Sequence, residues 1–426
     1  MNLSRLWTIA RLELLQRVRT VSWYVLLGVF ALLLVGVTAL SFLGYGGWGM
    51  AGPGVYSIVV YVTLLLVLLV SPTLSGNSIN GDRDAATLAP VQVTLVTTGE
   101  ILFGKFLAAW ITGLAFAGVA APFLVIATLA GGVNPWTVLI SLAVLVVETG
   151  VIAAIGVALS GILARPLFSV AVTYLVVAAL AVGTVIGFGL IGTATASEGV
   201  SLSRSAEYGD NGPLCKDGSD DCWDDPEQMV CGEWTRTTYP VPRFDRVWWL
   251  LSANPFVILA DAVPTSFDQY GSPDDLFGSL KYTVRSAQRT PDLETRWDEC
   301  DPTYSFGESD YPTPEEIIDQ TVPGWFVGLG VQLALAVVLL ATTLPPARSA
   351  LADEVTIYRC TDAKGKQTLR DSPCQRGEKQ QTQEMIRPRD AKPLAAPAPS
   401  ARPILGRGWR GVPREGRPPL PSPALS

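Results

Sequence analysis

The chain has no histidine in 426 residues. That absence removes Ser-His-Asp and Cys-His catalysis, the zinc-protease helix motif and every His-liganded metal site. It also lacks a Gly-x-x-x-x-Gly-Lys-Ser/Thr loop, so a role driven by ATP would need the nucleotide on another chain. The first twenty residues do not read as a cleavable signal peptide. Leu3, Leu6, Trp7, Ala10, Leu14 and Val18 recur at helical spacing among Arg5, Arg11, Arg17 and Arg19. This pattern predicts a basic amphipathic helix on the cytoplasmic leaflet, leading into the first apolar run; the alternative is an ordinary basic flank that keeps the N-terminus inside.

What the chain does contain is apolar sequence in long runs. Six stretches, near Ser22–Phe42, Val55–Leu74, Phe106–Leu129, Trp136–Leu163, Phe168–Ile191 and Trp325–Leu344, are each long enough to cross a bilayer. The fold class expected is an all-α polytopic membrane protein with six transmembrane helices and the N-terminal amphipathic helix. Residues 1–193 hold that helix and the first five spans, and residues 323–345 hold the sixth. The expected partner common to every reading is the lipid bilayer, and no nucleic-acid partner is expected.

Charge placement sets the expected topology. Residues 194–322 carry 25 acidic and 9 basic side chains, whereas residues 346–426 carry 15 basic and 8 acidic ones. The two blocks belong on opposite sides of the membrane. With a cytoplasmic N-terminus, six crossings put the segment 75–105 inside, the acidic insertion 194–322 outside and the basic tail in the cytoplasm. The expected location is the cell's inner (plasma) membrane, with the chain crossing it several times.

The insertion carries Cys215, Cys222, Cys231 and Cys300. An even count in an exported segment favours disulfides, and the three possible pairings stay open. Within the insertion, Val247–Val263 is apolar, short for a span and interrupted by Asn254-Pro255. Trp248 and Trp249 suit the outer interface, so the segment reads as an interfacial helix beside the bundle. The alternative is a buried core helix of the outer domain.

The segment 76–105, GNSINGDRDAATLAPVQVTLVTTGEILFGK, is the most specific stretch. Asp82, Arg83 and Asp84 open it, and Glu100 and Lys105 close it around an apolar middle. Such a segment either docks on a partner or simply joins two spans. Its pattern resembles the inner loop of ABC-type exporter permeases of the second class. The match falls on Gly76, Asn77, Ile79, Gly81, Asp82, Arg83, Asp84, Thr87, Leu88, Pro90, Val91, Glu100, Ile101, Gly104 and Lys105. The lead-in helix, six spans and large insertion before the last span extend the resemblance over about residues 1–345. It implies a permease that pairs with a second permease subunit, the same or related, and with two separate ATPase subunits. It also implies that Asp82, Arg83, Asp84, Thr87, Glu100 and Lys105 belong to the surface that couples to those ATPases. ATP would be bound by the partner, and this chain would need no cofactor or metal of its own.

Glu148, in VLVVETGVI, lies inside the fourth apolar run. An intramembrane carboxyl is a functional candidate by default. It reads as a neutral structural acid at a helix seam, or as a sensor of protons or of a cationic substrate. Gly187-Phe-Gly-Leu-Ile-Gly192 fits a dinucleotide-binding pattern but follows no strand, so close helix packing explains it better.

Beyond Leu344 the composition changes. Val355–Arg359 alternates like a strand, residues 362–366 have turn chemistry and Gln367–Arg370 can return, with Cys360 and Cys374 placed to close the hairpin. Through Tyr358-Arg359-Cys360, Asp362 and Gly365, followed by Asp371, Pro373 and Cys374, residues 346–390 resemble a small domain of unknown function found in exported bacterial proteins. Residues 391–426, rich in Pro, Arg, Ala and Gly, read as disordered. Ala350-Leu351-Ala352 after the sixth run imitates a signal-peptide cleavage site. The acidic flank of Glu315, Glu316 and Asp319 argues for an uncleaved span.

The resulting expectation is a non-enzymatic permease subunit of an ATP-driven exporter. A membrane-anchored sensor or assembly scaffold, with a partner-binding outer domain, is the rival.

Overall fold

The computed structural model describes residues 2–45, 51–84, 97–209, 212–218, 222, 228–301 and 312–344, and the backbone of 354–361, 367–370 and 379–386. Residues 1–345 and 346–426 form two compact units.

In the first unit, helix α1 (Leu3–Val18) is followed by α2 (Val21–Tyr45), α3 (Ala51–Ser75) and the short α4 (Ser78–Asp84). Then come α5 (Thr98–Val119), α6 (Ala121–Leu129), α7 (Pro135–Ile162), α8 (Pro166–Ala178) and α9 (Thr184–Ala194). The protein is mostly helical. Among the described residues, six helical segments are long and apolar enough to cross a membrane: Val21–Tyr45, Ala51–Asp82, Thr98–Leu129, Pro135–Ile162, Pro166–Ala194 and Trp325–Thr343.

Local chemistry explains where the helices begin. Thr97 and Glu100 form a reciprocal capping box that starts α5 eight residues before the apolar run read from sequence. Asn134 caps α7, and Pro135 occupies its first position, where a missing N–H costs nothing. The fifth span contains a π-helical segment, Ala179–Gly183, between α8 and α9.

Spans two and four form the centre. Tyr56 and Ser141 share a hydrogen bond of 2.9 Å between them, and Val55, Val59, Val60, Leu64, Leu145 and Ile152 belong to one buried cluster. The outer faces of α2, α8, α9 and the last span present exposed Leu, Val and Ile side chains. An aqueous protein would not leave so much apolar surface uncovered, whereas a bilayer solvates it.

The insertion is not purely helical, which corrects the all-α expectation. Strand β1 (Ser197–Arg204) lies between β2 (Thr235–Val241) and β3 (Glu294–Asp298). It pairs antiparallel with β2, Val200 opposite Thr238, and parallel with β3, Val200 opposite Glu294. These strands are polar and largely uncovered, so no apolar alternation announced them. Two disulfides, Cys215–Cys222 and Cys231–Cys300, resolve the open pairing.

Four helices complete this unit: α10 (Trp249–Ser252), α11 (Pro255–Ala262), α12 (Leu276–Ser286) and α13 (Pro314–Gln320), before the last span, α14 (Trp325–Thr343). The apolar segment 247–263 is therefore two helices and not one interfacial helix. Asn254-Pro255 breaks it, with Asn254 Oδ1 accepting from the Phe256 N–H at 2.9 Å to start α11. Ile258 and Leu259 are fully buried in the cluster that spans two and four build. A Cβ on Gly328 of α14 would run into the Ser252 carbonyl, so only glycine admits this approach.

The second unit contains one antiparallel sheet. Its strands β4 (Glu354–Thr361), β5 (Gln367–Arg370) and β6 (Lys379–Ile386) take the order β5-β4-β6. Thr361 pairs with Gln367 at the expected hairpin, and Lys379–Ile386 adds a third strand that was not anticipated. Cys374 lies outside the described residues, as does the segment 391–426.

Candidate functional site

Helix α5 presents one face to α1, and each contact along it has an identifiable cause. Glu100, already committed to the capping box through Oε2, accepts the Asn2 backbone N–H at Oε1 over 2.6 Å. One turn on, a Cβ at Gly104 would meet Ile9 Cβ at 2.9 Å, so glycine lets the two helices lie close. Two turns further, Thr112 Oγ1 accepts from Arg17 at 3.1 Å.

Lys105 is the hub of this face. It is only 2% exposed. Its ammonium meets Asp82 Oδ2 at 2.7 Å, the Ser78 carbonyl at 2.8 Å and Glu13 Oε2 at 3.1 Å. Three donors thus find three acceptors, contributed by α4 and α1. Glu13 also pairs with Arg17 at 3.4 Å, and Arg17 donates to the Leu74 carbonyl at 3.1 Å. Burial pulls the Arg17 guanidinium below its ordinary pKa, and Glu13 pulls the other way.

Helix α4 is held from its other side. Ser160 Oγ of α7 accepts from the Ile79 and Asn80 N–H groups at 3.0 and 3.2 Å. Asn80 donates to the Leu163 carbonyl at 2.7 Å and to Ser169 Oγ at 3.0 Å. One end of the bundle therefore carries a rigid platform of α1, α4 and the start of α5, fixed to spans two to five.

Of the residues singled out in the sequence, Asp82, Glu100 and Lys105 come together here. Glu100 and Lys105 face inward and act by fixing α1 and α4. Arg83 and Asp84 lie in the last turn of α4. Thr87 lies outside the described residues. Arg17 was read only as part of a basic amphipathic helix and Glu13 carried no reading; apart from each other, their partners Leu74, Lys105 and Thr112 sit more than fifty residues away in sequence.

A second cluster, at the opposite end, carried no sequence signal. Asp261, at the end of α11, accepts Arg285 Nε at 2.6 Å through Oδ1. Its Oδ2 takes the Gly324 and Trp325 N–H groups at 2.7 and 3.0 Å, capping the last span. Arg285 also donates to the Thr321 carbonyl at 2.5 Å. Nearby, Lys281 Nζ donates to the Val263 carbonyl at 2.5 Å, and burial lowers its pKa. Asp275 caps α12 at the Gly278 N–H, 2.7 Å away, and the Leu276 N–H meets Ser57 Oγ of span two at 3.1 Å. Burial, with Asp274 adding to it, pushes the Asp275 carboxyl up to about 6. The insertion is thus fastened into the spans by buried ionic groups.

Among the described residues, no group of three His, Cys, Asp or Glu side chains is placed to hold a metal. The insertion contains a cleft of about 730 Å³, lined by Phe244, Tyr282, Arg289, Asp292 and Ile317 among others.

Comparison with known proteins identifies one part of the chain. Residues 346–401 match the family model of a domain of unknown function, DUF4124. That agrees with the resemblance read in the tail and carries it past Asp390. No curated protein matches the chain. The exporter-permease resemblance of residues 1–345 finds no family match.

Proposed function

We propose that residues 1–345 form the membrane subunit of an ATP-driven exporter, coupled to ATPase subunits on separate chains. The observation that supports this reading most is the platform of α1, α4 and α5 around Lys105. An ATPase pushing on α4 would move a rigid body joined to spans two to five, because buried ionic and hydrogen-bonded contacts link them. A solvated connecting loop would transmit nothing. In this reading the platform faces the cytoplasm, the acidic insertion faces outward, and two such bundles assemble with two ATPases. The chain itself performs no chemistry.

Asp82 and Lys105 then serve the mechanism indirectly, by stiffening the platform, while Arg83 and Asp84 at the tip of α4 are the contacts proposed for the partner. Only a contact that differs between two states can shift the balance between them. Closure of the ATPases would supply that difference at the tip of α4.

The test is purification from native membranes in mild detergent, with partners identified and ATP hydrolysis assayed. A stoichiometric ATP-binding subunit, retained by wild type and lost from the Arg83→Glu/Asp84→Arg double variant, supports the proposal. A preparation free of any ATPase, from membranes that express candidate ATPases, would overturn it. The cleft beneath Phe244 and Tyr282 favours a second reading, a scaffold or sensor whose insertion binds a partner. That reading expects the purified chain to capture its partner through the insertion, with no ATPase present.

A further inference from the structure

Three spans and the insertion are tied together by one thread of buried polar groups, and its inner end is Glu148. The carboxyl is fully buried in the middle of α7, about 20 Å from the start of that helix. Neither of its oxygens meets hydrogen-bond geometry with a donor among the described residues, although the Gln332 side chain lies near enough to act on it. It lies against Gln332 of α14, which is also fully buried. Gln332 spends an amide hydrogen on the Ala253 carbonyl at 3.0 Å, and its own oxygen has no donor.

From Ala253 the thread continues. Asn254 donates to the Ala181 carbonyl at 2.7 Å and to Thr184 Oγ1 at 2.9 Å. Both acceptors lie in or beside the π-helical segment of span five, where the helical ladder is disturbed. Span four thus reaches span six, the break between α10 and α11, and span five. Irregular backbone at this depth is tolerated only where protein buries it or where it borders a polar path.

Hydrogen-bond accounting at the inner end leaves one deficit. Among the described residues, no hydrogen bond of good geometry reaches the three oxygens of Glu148 and Gln332. A single proton on the carboxyl converts an oxygen into a donor and lets Glu148 bond to Gln332. We propose that Glu148 is an exchangeable proton-binding site, and that its proton closes the seam between spans four and six. Loss of the proton leaves a bare carboxylate that needs water. The seam then opens and takes with it the Ala253–Asn254 link to span five. The proton leaves to solvent along that path and returns by it, so the step balances with no other reactant. This inference does not depend on the exporter reading.

The test is infrared difference spectroscopy on the full chain in lipid nanodiscs, with pH stepped between about 5 and about 9. Wild type should lose one buried carboxylic-acid band per chain on the alkaline step. Glu148→Gln, which keeps a donor and cannot titrate, should abolish that change. Gln332→Leu should shift the band's frequency, which a carboxyl with no bond to Gln332 would not show. Glu148→Asp provides a second folded variant, in which the band should move and not vanish. A pH step that leaves the acid band unchanged in folded wild-type protein would overturn the proposal and make Glu148 a fixed neutral acid. A band removed at constant acidic pH by added sodium or by an organic amine would also overturn it, since the ligand would then be that cation.

Discussion

Replacing Asp261 by alanine should release the start of the sixth span. The carboxylate holds Arg285 with one oxygen and the Gly324 and Trp325 N–H groups with the other, and both charged side chains are almost fully buried. Removing one member of a buried ion pair costs about 3–5 kcal/mol, because the other charge is left uncompensated. The two N–H bonds are lost in the same step and do not add independently, so about 4 kcal/mol is the working figure. At about 1.4 kcal/mol per tenfold, that is roughly a thousandfold rise in local opening. Amide hydrogen exchange in nanodiscs reads it directly, since Trp325 N–H is one of the bonded groups and reports opening of its own segment. Asp261→Asn keeps an acceptor and loses the charge, so about half the effect is expected. Asp261→Leu/Arg285→Met removes both charges and should recover most of the loss. Exchange at Trp325 within about threefold of wild type in Asp261→Ala would refute the reasoning.

Three further outcomes follow from the same structure. Lys105→Met removes the cation between Asp82 and Glu13. It should detach α1 and raise tryptic cleavage after Arg11 and Arg17 at least tenfold, read by mass spectrometry of timed digests. Loss of the Cys231–Cys300 bridge, which spans 69 residues, should cost about 2 kcal/mol more than loss of Cys215–Cys222, which spans 7. Urea titration of the insertion in the two paired Cys→Ser variants would rank them. For Asp275, the folded carboxyl is raised to about 6 from an ordinary value of 3.8. A raised acid contributes stability below its unfolded value and loses it as pH climbs through the folded one. Exchange across Leu276–Ser279, corrected for intrinsic rate, should therefore slow as pH falls from about 7 to about 5, and Asp275→Asn should be flat.

What the sequence made visible was whatever periodicity and length encode. The six spans were legible because a bilayer demands long apolar runs. Their boundaries were not, since capping by Thr97 and Glu100 depends on a reciprocal bond and not on hydropathy. The sheet in the insertion was hidden because Ser197–Arg204 and Thr235–Val241 are largely polar and show no alternating apolar face. The hairpin in the tail was legible where alternation and turn chemistry coincide, at Val355–Arg359 and 362–366. Lys379–Ile386 has neither signal, and its pairing with β4 is a long-range fact.

The buried ionic groups show the limit most clearly. In the sequence Lys105 is marked only by a resemblance, as part of a surface for a partner, and Asp261 lies near the end of an apolar run. Their meaning comes from partners 92 and 24 residues away, Glu13 and Arg285. No local pattern specifies such a pair, because each residue is costly alone and is stabilised only by the other. Glu148 is the reverse case. Its position inside an apolar run made it conspicuous, yet the informative property is structural: its buried oxygens meet no donor in good hydrogen-bond geometry among the described residues. A fully buried carboxyl that meets no donor in good geometry has no stabilising role that a leucine would not fill better. The Gln332 amide beside it, held by Ala253 with its oxygen unpaired, supplies the acceptor that a protonated acid needs. The two unsatisfied groups account for each other once a proton is placed between them, and for neither of them does simple packing provide a reason.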